Sequence, residues 1–356
     1  MSRSIAMLRH DAQIVDFIWI DPAAIGLSTG AAANLKNLLA DAQFNYVLLR
    51  AESNFAEVLA DQDPGRVQLI KIGGAGRLLV REFWVLRLAL RTKLRGGDIF
   101  YTSWLPRLCF SALLLPIKCR LFVHDLNIFR ARIHGRRFQQ PSWLSRFHQY
   151  LSIKRATIVQ CFARSVARQL KLLRRDTIAI VGQTVRIVPP ARSEKRGRSA
   201  VIFLDNRDYK GTWALDRLYS SKIGFQLTVI GKIDETHEKR LTSRGLAVRS
   251  LRPSDKDKFL LITEADFVIF ASKFEGFGLP PREAAAVGTP SLIARRAALL
   301  DIPAPLSLSI ERCGSRIDLD AIAELAAQID RGALKQWAAE FIGPVSTSWL
   351  PPSSPH

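Results

Sequence analysis

The stretch from Phe267 to Val287 limits what this chain can fold into more than any other. Phe267-Val-Ile-Phe-Ala271 is a short apolar run without polar alternation, the pattern of a strand buried on both faces. The segment Ser272-Lys-Phe-Glu-Gly-Phe-Gly-Leu-Pro-Pro-Arg-Glu283 follows, and an alanine-rich helix is expected over Arg282–Val287. A strand, a glycine-containing turn and a helix start, in that order, make an anion site. Gly276 and Gly278 allow close approach of backbone to ligand, and amides at the helix N-terminus point at phosphate oxygens. Glu275 and Glu283 frame the turn. Carboxylates repel phosphate, so these two suit hydrogen bonds from hydroxyls, as on a sugar.

The remainder of the chain alternates strand-like and helical stretches. In the first half, strands are expected near residues 14–20, 46–49, 67–70, 98–101, 120–124 and 157–160, with a helix over 31–40. The second half restarts with strands near 201–204, 226–230, 247–248 and 267–271. Such alternation predicts parallel sheets wrapped on both faces, an α/β fold. Pro189-Pro190 and the charged run Arg192–Arg198 interrupt it. The expected organisation is a first domain over 1–190, a linker over 191–199, a second domain over 200–345 and a disordered tail over 346–356. With 356 residues, each domain can bury its own core. Two doubly wound domains facing across a cleft would place ligands at the carboxyl ends of the strands.

Charge narrows the partners. The net charge is +20, and residues 1–190 hold about 28 Lys/Arg against 12 Asp/Glu, net about +16. Anionic lipid, a phosphorylated acceptor and nucleic acid all meet that requirement. A nucleic-acid module, though, leaves the Glu275 turn unused and lacks an aromatic platform or zinc spacing. Arg77–Arg95 interleaves Leu78, Leu79, Phe83, Trp84, Leu86, Leu88 and Leu90 with six basic residues. It reads either as a cationic helix in an anionic membrane interface or as a core helix whose arginines reach solvent. The cysteines Cys109, Cys119, Cys161 and Cys313 lie far apart and read as buried thiols in a reducing compartment. Neither a signal peptide nor an apolar span of about 18 residues is evident. The expected location is cytoplasmic, or peripheral on the cytosolic face of a membrane. Asp-x-Asp pairs at Asp61/Asp63, Asp255/Asp257 and Asp318/Asp320 follow no convincing strand beside a nucleotide-binding half and read as chance.

The run Glu275-Gly-Phe-Gly-Leu-Pro280, with Glu283, Gly288-Thr-Pro290 and Ser291-Leu-Ile-Ala294, resembles the donor-site signature of family 4 glycosyltransferases. These are retaining enzymes of the GT-B fold, two Rossmann-like domains facing across a cleft. The resemblance implies that Glu283 holds ribose hydroxyls and Glu275 the hydroxyls of the transferred sugar. Gly276, Phe277, Gly278 and Leu279 would line the nucleotide diphosphate. Lys210, after the first strand of the second half, is suited to neutralising a diphosphate leaving group, with the planar fork of Arg207 beside it. The resemblance supports that pair, though three residues apart is closer than the family pattern. His124-Asp125, at the end of Leu121-Phe-Val123, resembles the family's His-Asp, whose His faces the donor sugar. Gly30, in the loop Asp21–Gly30, corresponds to a glycine loop over the donor phosphates.

The expected function is metal-independent transfer of a hexose, mannose among the candidates, from a nucleotide-diphosphate sugar to a glycan or lipid-linked hydroxyl. Cell-surface polysaccharide synthesis is the expected setting, and no cofactor beyond the donor is expected. The alternatives are a catalytically inactive GT-B sugar-binding or scaffold protein, and a basic nucleic-acid-binding protein.

Overall fold

The apolar runs of the first half become one parallel sheet. The computed structural model describes residues 15–19, 44–50, 68–72, 77–94, 99–103, 108–123, 142–174, 178–180, 198–204, 210–273 and 275–340. The first unit contains β1 (Val15–Trp19), β2 (Phe44–Arg50), β3 (Gln68–Ile72), β4 (Ile99–Ser103), β5 (Lys118–Val123), β6 (Ile158–Cys161) and β7 (Ile178–Ile180). Their order in the sheet is β3-β2-β1-β4-β5-β6-β7, and every pairing is parallel. Strands are added to one side of β1, then to the other, the doubly wound pattern. β7 was not expected from the sequence. The expected helix over 31–40 lies outside the described residues, as do the linker residues 191–197 and the segment 341–356.

Helices α1 (Arg77–Leu94), α2 (Phe110–Leu114), α3 (Trp143–Arg155) and α4 (Arg164–Leu173) accompany this sheet in the chain. Leu121, Phe122 and Val123 of β5 are fully buried, as are Val159 and Cys161 of β6, so both faces of these strands are covered. All four cysteines are free. Cys109, Cys119 and Cys161 are buried and Cys313 is half-buried. Burial pushes the Cys109 thiol up to about 12 and the Cys119 thiol up to about 11.

Glu82 of α1 fastens α2. Its carboxylate accepts from the Phe110 amide at 3.0 Å, and from the Ser111 amide and hydroxyl at 2.8 Å each. Arg81 adds a bond at 2.8 Å. Burial alone would raise the Glu82 pKa, but these bonds, led by the Ser111 amide, outweigh it and hold the carboxyl below its ordinary value. In turn α2 meets α3, where the Leu108 amide donates to Ser152 Oγ at 2.9 Å and the Phe110 and His148 rings stack.

The second unit restarts the pattern with β8 (Ser199–Phe203), β9 (Leu218–Tyr219), β10 (Phe225–Ile230), β11 (Leu246–Leu251), β12 (Phe267–Phe270), β13 (Ser291–Ile293), β14 (Ser307–Ser309) and β15 (Ile317–Asp318). Six form a parallel sheet in the order β11-β10-β8-β12-β13-β14, and β9 pairs with β15. The helices are α5 (Thr212–Leu215), α6 (Glu235–Thr242), α7 (Asp255–Glu264), α8 (Leu279–Val287), α9 (Leu319–Ala326) and α10 (Arg331–Ala339). Ala200, Ile202, Phe267 and Ile269 pack into one core. Val201 and Val268 pack into another with Ile262 and Ala284. The alternation within β8 and β12 sends successive apolar side chains to opposite faces, each covered.

Helix α8 begins three residues before the sequence expectation. Pro280 and Pro281 occupy its first turn, where a missing N–H costs no helical bond. Glycines close both ends in the left-handed region, Gly278 at φ +75° and Gly288 at φ +81°.

Replacing Glu82 by Ala removes the acceptor of two helix-start amides. The expected loss is about 1–3 kcal/mol, read as a lower urea midpoint. Because the folded pKa is lowered, the contribution is present above the ordinary glutamate range and is lost as pH falls through the folded value. The gap between wild type and variant should therefore close in acid; a gap independent of pH would count against the clamp. Gly278→Ala forces a Cβ into φ +75° and to 2.5 Å from Leu299 Cδ2. The strain alone should cost about 1–2 kcal/mol, and an unchanged melting temperature would contradict it.

Candidate functional site

The order of the second sheet determines where side chains can converge. From β8 the chain passes to β10 and β11 on one side, then crosses to β12 on the other. Connections leaving β8 and β12 thus diverge, and the crevice at their carboxyl ends is where ligands enter open α/β sheets. Lys210 follows β8 and Glu275 follows β12.

Three contacts bring these segments together. Lys210 and Ser272 form an antiparallel bridge. The Trp213 indole N–H donates to the Ala271 carbonyl at 2.6 Å. Lys210 Nζ donates to Glu275 Oε1 in an ion pair whose side chains are only 18% and 13% exposed. A carboxylate so withdrawn from water requires a nearby cation. The Trp213 ring in turn carries two cations, Lys273 Nζ at 4.7 Å from its centroid and the Arg217 guanidinium at 5.7 Å. The Glu275 carbonyl accepts from the Ala298 amide at 3.3 Å. Neighbouring Ala297 has φ +49°, a conformation L-residues adopt at a cost.

The glycine turn rests on a buried arginine. Arg282 is 2% exposed. Its Nε donates to the Phe277 carbonyl at 3.0 Å, and its guanidinium lies 4.1 Å from the Phe277 ring and 5.2 Å from that of Trp337. Burial pushes the Arg282 pKa down to about 10 against the opposing effect of Asp301, which leaves it charged at neutral pH. The Phe277 side chain is therefore part of the core, and only its backbone is disposed to meet a ligand. Pro280 and Pro281 carry no N–H. The amides suited to an anion are consequently those of the turn, Gly276 to Leu279, rather than the whole first turn of α8.

Glu283, in α8, is buried and accepts from Lys258 Nζ of α7 at 2.8 Å, with both side chains 12% exposed. The Lys258 ammonium also lies 4.9 Å from the Phe259 ring centroid. Of the expected site residues, Lys210 and Glu275 meet; Gly276, Phe277, Gly278 and Leu279 form the turn beside them; Glu283 meets Lys258. His124, Arg207 and Gly30 lie outside the described residues. Sequence reasoning missed Lys258 and Arg282. Lys258 sits in an Asp-Lys-Asp-Lys run that reads as a solvated face, while Arg282 was visible only as a lone cation opening an alanine helix.

Two of the Asp-x-Asp pairs serve structure. The Asp257 carboxylate accepts from Ser254 Oγ at 2.7 Å while Ser254 caps α7. Asp318 caps α9, and Asp320 accepts from Arg198 at 2.7 Å and from Ser220 at 2.6 Å. Among the described residues, no three His, Cys, Asp or Glu side chains gather as a metal site.

No protein-family model matches the chain, and no curated protein sequence matches it. Solved structures do. Anabaena Alr3699/HepE, in complex with UDP, superposes with a TM-score of 0.61 at 14% identity, over 92% of this chain and 99% of that one. A complex of HepE with UDP-glucose gives 0.58 at 16% identity, over 91% and 98%. A glycosyltransferase from Rickettsia africae gives 0.61 at 12% identity, over 93% and 95%. At such identities the likeness is one of fold, and that fold is the two-unit parallel α/β architecture of GT-B proteins.

Proposed function

We propose that this protein is a retaining glycosyltransferase of the family 4 type. It moves a hexose from a nucleotide-diphosphate sugar to a hydroxyl of a glycan or lipid-linked acceptor, with no metal ion. The observation that carries this reading is the Lys210–Glu275 pair, held at the carboxyl ends of β8 and β12 beside the Gly276–Leu279 amides. The HepE structures hold UDP and UDP-glucose, which makes a uridine diphosphate sugar the first donor to test; GDP-mannose is the second.

In this reading the second unit binds the donor. Lys210 and Glu275 are already largely withdrawn from water, so a donor that offers each a new partner adds little desolvation on the protein side. The diphosphate takes the Lys210 ammonium, assisted by Arg207 and the turn amides. A sugar hydroxyl donates to Glu275 in its place. Glu283, paired with Lys258, accepts from the ribose hydroxyls.

As the anomeric carbon–oxygen bond breaks, negative charge grows on the diphosphate oxygen, where Lys210 and the amides stabilise it most. The acceptor oxygen bonds to the anomeric carbon from the same face. Its proton passes to the departing diphosphate, so configuration is kept without a protein nucleophile. The product belongs with cell-surface polysaccharide or a precursor of it.

Screening nucleotide sugars for thermal stabilisation and hydrolysis tests the reading, and no response to any of them would end it. Glu275→Ala removes a charge-assisted bond of about 1.5–3 kcal/mol, so turnover should fall at least about ten-fold with the fold intact. Unchanged transfer would take Glu275 out of the site. Lys210→Ala should weaken binding of the nucleoside diphosphate far more than that of the nucleoside, measured by calorimetric titration. Equal losses for both ligands would exclude contact with the diphosphate.

A further inference from the structure

The first unit carries a surface that the proposed chemistry does not use. Thirteen of the eighteen exposed large apolar side chains among the described residues lie on α1, α2 and α3. On α1 they form a stripe of Leu79, Phe83, Leu86, Leu90 and Leu94, between 50% and 79% exposed. The buried stripe of the same helix is Val85, Leu88 and Thr92. At about 3.6 residues per turn the two stripes fall on opposite sides of the cylinder. One stripe anchors α1 to the unit, and the other faces water.

The stripe continues across its neighbours. Glu82 ties α1 to α2, and Leu108, Phe110, His148 and Ser152 tie α2 to α3, so the three helices form one surface. Phe110 and Leu114 of α2 are 61% and 82% exposed, and Trp143 and Phe147 of α3 are 67% and 53% exposed. Exposed apolar side chains gathered on three linked helices mark a docking site.

Charge selects what docks. Together α1 and α3 hold eight Lys/Arg and a single acid, Glu82, which is engaged with α2. On α1, the exposed Arg87 and Arg91 flank one side of the apolar stripe and the exposed Lys93 the other. A second copy of the same face would set these cations against each other, since a two-fold interface opposes like to like. An anionic bilayer satisfies both features: headgroups meet the flanking cations and acyl chains receive the apolar side chains. Trp143 and Tyr150 of α3 are amphipathic rings suited to the headgroup layer. Among the described residues, no helix is long and apolar enough to cross a membrane. We propose that the exposed face of α1, α2 and α3 binds the surface of an anionic phospholipid bilayer peripherally.

The test is co-flotation of the full-length protein with phosphatidylcholine vesicles that do or do not contain phosphatidylglycerol. Two variants are compared with wild type: Leu86→Ser with Leu90→Ser, and Arg87→Gln with Arg91→Gln and Lys93→Gln. All five positions are exposed, and near-ultraviolet circular dichroism checks that each variant keeps its fold. Wild type should partition onto anionic vesicles at least about ten-fold more than onto neutral ones, and each variant should lose at least about ten-fold. Added salt should release the wild type. Equal partitioning onto neutral vesicles, or full binding by either variant, would overturn the proposal. So would light scattering that shows a dimer which the leucine variant dissolves, since a second copy would then cover the face. None of these readings depends on sugar transfer.

Discussion

A parallel strand cannot reach its neighbour through a tight turn. Every connection must cross a face of the sheet, so both faces become covered and the open ground lies at the strand ends. In the second unit this constraint sets everything downstream. β8 and β12 are adjacent in the sheet yet far apart in sequence, and the chain leaves them in opposite directions. The segment after β8 supplies Lys210, the segment after β12 supplies Glu275, and the bridge from Lys210 to Ser272 seals their meeting. In the second sheet this is the position at which connections leave adjacent strands in opposite directions.

Two lysine–glutamate pairs occupy this end of the unit, and they differ in kind. Lys210 and Glu275 both lie in connections, on backbone shaped by Gly211, the Trp213 bond and the strained Ala297. Lys258 and Glu283 both lie on helices, α7 and α8, whose packing fixes their separation. The first pair rests on loop backbone rather than on helices. The second is built into the scaffold by helix packing.

How much of this was legible in the sequence depended on how local each determinant is. The strand, turn and helix over 267–287 were readable because glycines, prolines and a short apolar run act within a few residues. Even there, α8 starts three residues early, since prolines that forbid a helix interior are welcome in a first turn. Lys258 was not readable. Its tie to Glu283 joins two helices, and nothing in the local charge run distinguishes it from Lys256. Arg282 escaped notice because an arginine is seldom placed inside a core, and the Phe277 carbonyl and the Phe277 and Trp337 rings that hold it are joined only by the fold. Helix α1 shows the opposite case. Its apolar residues were plain, but a helix with two greasy sides does not announce which one its own sheet will cover.

The Trp213 indole has a further property. It is fastened at one end to Ala271, with two cations over its ring, Lys273 at 4.7 Å and Arg217 at 5.7 Å. Indole fluorescence responds to the electric field across the ring. A charge arriving beside Lys273 or Arg217 would redraw that field, so Trp213 is a built-in optical reporter of its own surroundings.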